Sequence, residues 1–216
     1  MQPKTLDHVA FWVADRDAIG AALTSRLGVH VIDRQDNFTL LGADARRFKL
    51  TLFDAEGPRE PGPFVHVALR VNRLPGGAPE TFTAGEGLRV VLVEAPTEVE
   101  YDLDHVALKS IDPRATAEEY ERYGFRPAGP GRLEVGGAFL ELQAGLVRAT
   151  ERPLLNHLAV LVDSVDDALA DADELGIEVE STVDAANTYA AFLTGPEPLE
   201  IGVASFRGSC PGNGLC

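Results

Sequence analysis

One five-residue phrase occurs four times in this chain, and each occurrence carries a histidine: LDHVA at 6–10, FVHVA at 64–68, LDHVA at 103–107 and LNHLA at 155–159. The chain has only five histidines, so four of them occupy the same place in the phrase. Recurrence of this kind restricts the fold to one assembled from copies of a single small unit. It also gives histidine a position that the unit uses or once used.

The copy around His8 reveals the unit. Residues 6–13, LDHVAFWV, are rich in β-branched and aromatic side chains and run into polar ADRD, the pattern of a strand. Alternation puts Leu6, His8, Ala10 and Trp12 on one face. Asp15-Arg-Asp can cap a helix over AIGAALTSRLG that stops at Gly28. Three strands are then expected in VHVID (29–33), FTLLGA (38–43) and RFKLTLFDA (47–55). Around His105 the order repeats: LDHVALKSI, a helix opened by Asp112-Pro113 and closed at Gly124, then RPAG, GRLEV and AFLELQA. Around His157 it repeats again, with a helix ending at Gly176 and strands in IEVEST, TYAAFL and PLEIGVA. From histidine to helix-ending glycine the three units count 20, 19 and 19 residues. The copy around His66 is reduced, because RLPGGAPETF holds too much glycine and proline for a full helix between FVHVALRV and LRVVLVEA (88–95). The four histidines are spaced 58, 39 and 52 residues apart. The expectation is an α+β chain of four β-α-β-β-β modules, the second without all or most of its helix.

A module with histidine on its first strand and glutamate on its last resembles the vicinal oxygen chelate superfamily. That group includes glyoxalase I, bleomycin- and fosfomycin-resistance proteins, methylmalonyl-CoA epimerase and extradiol dioxygenases. The resemblance covers residues 4–205. It implies that modules pair into incomplete, cup-shaped β-barrels, each able to surround one divalent metal. Pairing neighbours along the chain gives an N-terminal barrel without metal at 1–98, a C-terminal barrel with the metal site at 99–205, and a Gly/Cys tail at 206–216.

Composition narrows the partners. Nineteen basic against 34 acidic residues leave a net charge of −15, which repels nucleic acid and anionic lipid. No apolar run approaches the ~18–20 residues of a membrane span, and the first residues lack a secretory pattern, so the cytoplasm is the expected compartment. Cys210 and Cys216, in SCPGNGLC, could close a disulfide loop, act as a redox switch or hold a metal. The plainer reading is two incidental thiols in a Gly/Pro-rich terminus.

The resemblance also points to site residues. Glu141 in FLELQAG and Glu200 in PLEIGVAS lie on last strands with apolar neighbours, where a charge is costly unless paired or bound to a cation. His105, Glu141, His157 and Glu200 are therefore the expected ligands of one divalent ion, whether Zn, Ni, Co, Mn, Mg or Fe. The equivalent positions of the first two units hold Thr51 and Val91. Asp54 and Glu94, three residues further on, fall on the opposite face. His8 and His66 then read as structural histidines or relics of duplication, His30 as a surface residue, and Trp12 as core or cup lining.

Two reactions fit such a centre. In proton transfer of the glyoxalase or epimerase kind, a lyase or isomerase chemistry, Glu141 or Glu200 would serve as the base. In extradiol ring cleavage, His105, His157 and Glu200 would hold Fe(II) or Mn(II). The expectation leans to proton transfer, because two carboxylates are available and outer-shell histidines are missing. Tyr189 is the one expected acid or hydrogen-bond donor nearby. A third reading is a non-catalytic protein that sequesters a small molecule or antibiotic. The partner in every case is a small molecule, and the chain is expected to be a monomer or homodimer.

Overall fold

A computed structural model describes residues 1–43, 47–74, 77, 80–147, 150–185, 188–196 and 200–206. Cys210, Cys216 and the tail from residue 207 lie outside them, as do the side chains of residues 200 and 206.

The first module runs β1 (Thr5–Val13), α1 (Arg16–Leu27), β2 (His30–Arg34), β3 (Phe38–Gly42) and β4 (Lys49–Asp54). The second holds β5 (Phe64–Val71), β6 (Glu80–Gly85) and β7 (Leu88–Glu94), with no α-helix among its described residues. The third holds β8 (Asp102–Ser110), α2 (Pro113–Glu121), β9 (Arg126–Gly129), β10 (Arg132–Val135) and β11 (Ala138–Ala144). The fourth holds β12 (Leu155–Leu161), α3 (Val165–Leu175), β13 (Val179–Asp184), β14 (Thr188–Thr194) and β15 (Glu200–Phe206). The expected caps are in place: the Asp15 side chain accepts from the Ala18 amide, and Asp112 accepts from Arg114 and Ala115. Gly28 and Gly176 end α1 and α3 in the left-handed region that glycine adopts without strain. The helix α2 stops at Glu121, short of the expected Gly124.

Within every module the first strand lies parallel to the last, and the remaining strands run outward to the sheet edge. Between modules the first strands pair antiparallel, and here the structure corrects the expectation. Strand β1 pairs with β12, and β5 pairs with β8. The first module therefore joins the fourth in an eight-stranded sheet, ordered β13-β14-β15-β12-β1-β4-β3-β2. The second joins the third in a seven-stranded sheet, ordered β6-β7-β5-β8-β11-β10-β9. The sheet units are thus not the stretches 1–98 and 99–205. The physical reason is that all four first strands offer the same kind of edge, so the repeated phrase carries no partner choice. The linkers carry it instead. The chain crosses between sheets after β4 and before β12, and these crossings run side by side. The Glu60 amide donates to the Arg152 carbonyl at 2.9 Å, and the Leu154 amide to the Glu60 carbonyl at 2.7 Å.

The apolar faces of both sheets feed one core. Phe11 of β1 meets Phe64 of β5 edge-on, with ring centroids 5.1 Å apart. Helix α1 crosses to the other sheet, where a Cβ on Gly85 would stand 2.8 Å from Ile19 Cγ1, so the glycine permits the close approach. The Glu86 carboxylate, in the β6–β7 turn, accepts from the Ala14 and Asp15 amides at the entry to that helix. Tyr123 donates its hydroxyl to the Thr194 carbonyl at 2.5 Å, tying third module to fourth. Among the described residues no helix is long and apolar enough to cross a membrane.

Candidate functional site

With core faces turned to one another and the helices, the opposite face of each sheet carries the histidines; we call that face its cup. Register sets the cup residues. In the eight-stranded sheet Ala10 stands opposite His157 and beside Thr51, and His157 stands beside Glu200. In the seven-stranded sheet Ala68 stands opposite His105 and beside Val91, and Glu141 stands beside Ala107.

The four expected ligands therefore do not meet around one ion. His157 and Glu200 belong to one sheet, and His105 and Glu141 to the other. His157 and His105 instead each meet a histidine that the sequence suggested was structural or a relic. His8 Nε2 lies 3.2 Å from His157 Nε2, and His66 Nε2 lies 2.9 Å from His105 Nε2. Each cup thus has two imidazoles from first strands and one glutamate position on a last strand.

Residues preceding the histidines orient three of the four rings. Asp7 takes His8 Nδ1 at 2.8 Å, and Asp104 takes His105 Nδ1 at 2.7 Å. Asn156 Oδ1 takes His157 Nδ1. A carboxylate can only accept, so the Nδ1 atoms of His8 and His105 carry the protons. The acids are held in turn: Lys49 Nζ lies 2.6 Å from Asp7, and Arg70 Nε 2.9 Å from Asp104. Burial alone would raise both carboxyls, but the hydrogen bonds from the histidines and the neighbouring cations outweigh it and hold Asp7 and Asp104 below the usual range. The sequence held this signal, since three of the four phrases place Asp or Asn immediately before the histidine. His66 follows Val65 instead.

The result is a pair of facing nitrogens with no proton assigned between them. His8 and His157 both donate outward through Nδ1, so their Nε2 lone pairs meet at 3.2 Å unless a proton or metal cation lies between. Burial, then His8, drives His157 well below the ordinary imidazole range, which favours its neutral, ligating form. In the other cup burial, then His105, lowers His66 to about 4, with Arg89 adding and Glu141 opposing. Two nitrogens at about 2.1 Å from one ion stand roughly 3.0–3.4 Å apart in octahedral to tetrahedral geometry, so both pairs are spaced as neighbouring ligands. The described side chains do not by themselves close a three-ligand set. Glu141 Oε2 is 3.6 Å from His105 Nε2, a few tenths of an ångström beyond that range, and the Gln143 amide donates to its other oxygen at 3.2 Å. Each cup therefore offers two imidazole nitrogens at the spacing of neighbouring ligands, with a glutamate position beside them.

The two cups differ in their walls. Beside the His8–His157 pair stand Phe53 and Phe192, with centroids 6.2 and 5.1 Å from His157, and Trp12 and Phe38 pack on Phe53. Around the His66–His105 pair the walls are charged: Arg132 lies over Phe139 at 3.9 Å and faces Glu141 across the strand pair.

Tyr189 falls outside both. Its hydroxyl donates to Asp166 of α3 at 3.2 Å, on the face of β14 opposite to Phe192. Strand parity separates the two, since residues 189 and 192 differ by an odd number. Asp54 and Glu94 also point elsewhere, Asp54 to Arg16 at 2.5 Å and Glu94 to the Leu74 amide at 3.0 Å. His30 is exposed at the start of β2.

Paired modules of this kind, with a histidine pair on the free face of each sheet, define a class of open, cup-bearing α+β proteins. The chain belongs to the Glyoxalase/Bleomycin resistance protein/Dioxygenase superfamily, whose family model matches residues 5–197. Among solved structures it is similar to a putative dioxygenase from Bacillus subtilis, at 15% identity and a TM-score of 0.72, covering 94% of this chain and 85% of that one. It is also similar to glyoxalase I from Zea mays, at 17% identity and a TM-score of 0.70, covering 93% and 92%. The cppA protein of Streptococcus pneumoniae aligns at 13% identity and a TM-score of 0.63, covering 94% and 99%. At these identities the likeness is one of fold. No curated protein matches the chain.

Proposed function

We propose that this chain is a divalent-metal-dependent enzyme acting on a small substrate with two vicinal oxygens. The observation that carries this reading is the pair of facing Nε2 atoms in each cup, 3.2 and 2.9 Å apart, with three of the four rings held from behind. A divalent ion supplies Lewis-acid polarisation of the substrate oxygens when bound. His8, His157 and the Glu200 position would hold it in one cup; His66, His105 and Glu141 in the other. Asp7, Asn156 and Asp104 fix ring orientation and tautomer, the outer support that metal-ligating histidines ordinarily have. Three protein ligands leave room for a bidentate substrate.

Module pairing changes the balance between the two reactions. Proton transfer drew its support from two carboxylates at one ion, and Glu141 and Glu200 stand on different sheets. Two histidines and one carboxylate is instead the ligand set of oxygen-activating ring-opening enzymes. Ring opening of a catechol-type substrate is therefore the favoured reaction, with proton transfer second. The test is to load metal-free protein separately with Fe(II), Mn(II), Ni(II) and Zn(II). Oxygen uptake with catechols on the iron or manganese form supports ring opening. Solvent deuterium entering a carbon-bound position of a 2-oxo substrate on the nickel or zinc form supports proton transfer. Failure to bind any of the four ions would overturn both.

A further inference from the structure

Trp12, Phe53 and Phe38 form one run of touching rings, with Trp12–Phe53 and Phe53–Phe38 centroids at 5.3 and 5.7 Å. His157 continues it, flanked by Phe53 and Phe192. All but His157 are only partly buried, so ring surface remains available in the cup. At the Trp12 end the guanidinium of Arg59 lies 5.7 Å from the indole centroid. Its Nε is buried and has no hydrogen-bond partner among the described residues. A buried donor left unpaired is costly, and an anion seated there relieves the cost through a charge-assisted bond.

Aromatic walls and a cation with an unpaired N–H recognise two parts of one molecule. We infer that the cup of the eight-stranded sheet binds a small aromatic carboxylate, its ring against Phe53 and Phe192 and its carboxylate at Arg59. Arg132 in the other cup also has a buried Nε with no hydrogen-bond partner among the described residues, but it lies over the single ring of Phe139 and opposite Glu141, with no run of touching rings beside it. This inference rests on the reading of the cups as ligand sites, and it specifies the ligand of one of them without requiring metal.

Trp12 is the chain's one tryptophan, so its fluorescence reports this cup alone. The full chain, excited near 295 nm, is titrated with benzoate and phenylacetate, once after chelation and once with added Zn(II). Saturable change in Trp12 emission is expected in both. It should be weaker with cyclohexanecarboxylate, which lacks the ring, and with benzyl alcohol, which lacks the charge. Arg59→Gln should weaken benzoate binding about tenfold or more, and Phe192→Ala about fivefold. Arg132→Gln, in the other cup, should leave it unchanged. Circular dichroism checks that each variant folds. Absence of saturable emission change with either probe, with and without Zn(II), overturns the inference, and so does loss of binding in Arg132→Gln but not Arg59→Gln. Zn(II) binding measured alone reads the metal proposal separately, so failure of one is distinguishable from failure of the other.

Discussion

Replacing Lys49 with methionine tests the outermost support of the histidine pair. Lys49 and Asp7 are 4% and 7% exposed, their charged atoms are 2.6 Å apart, and Asp7 also holds His8. Removing the ammonium leaves a buried carboxylate with only the imidazole to balance it. Breaking a buried pair from one side costs about 3–5 kcal/mol. For a chain of this size that is a fall in melting temperature of roughly 6–20 °C. Replacing both partners, Asp7→Leu with Lys49→Met, removes the stranded charge and should recover most of that loss, because a buried pair exchanged for apolar groups is often near neutral. Metal affinity in this cup should not recover, since His8 has lost the acceptor that fixes its ring. Thermal and urea unfolding followed by circular dichroism, with metal titration of each variant, separate the two effects. A loss below about 1 kcal/mol for Lys49→Met, or a double variant no more stable than the single, would mean that the Lys49–Asp7 pair does not support His8.

Other outcomes follow from the same geometry. Burial holds His66 near 4 in the folded chain, while the unfolded chain takes up that proton at about 6.5. Between those values the unfolded state binds more protons, so stability should fall as pH is lowered from about 6.5 towards 4, and His66→Gln should flatten the fall in urea midpoint. Asp7 behaves in the acidic range: its contribution is full above about 3.9 and is lost as pH drops through its lowered folded value. Asp104→Ala should weaken metal binding in the seven-stranded cup about 10–100-fold, measured by calorimetry, with the other cup unaffected. Tyr189→Phe should leave metal and ligand binding unchanged in both cups, because its hydroxyl faces Asp166.

Much of the fold was written in the sequence. The period-two pattern around each histidine, the caps at Asp15 and Asp112 and the glycines that close α1 and α3 are local features, and local features survive folding. Partner choice among repeated modules is not local. LDHVA at 6–10 and LDHVA at 103–107 are identical, yet they lie in different sheets, because the crossings around Glu60 and Arg152 pair with each other and route the chain. That single topological fact redistributes the candidate ligands. It separates Glu141 from Glu200, gives His8 and His66 partners, and leaves every cup with one glutamate position. Tyr189 is the acid or hydrogen-bond donor that the sequence offers nearby, and strand parity places it on the helix side. Asp7, Asp104 and Asn156 stood beside the histidines in plain view. Their importance emerges once the outward Nδ1 bonds are seen.

Metal stoichiometry distinguishes two separate cups from a single centre. Equilibrium dialysis of the chelated chain against Co(II), followed through its visible spectrum, counts the ions and reports their ligands. Two sites per chain are expected, with His8→Ala and His157→Ala abolishing the same one and His66→Ala and His105→Ala abolishing the other. One ion per chain, lost on His105→Ala or His157→Ala and untouched by His8→Ala and His66→Ala, would contradict that expectation.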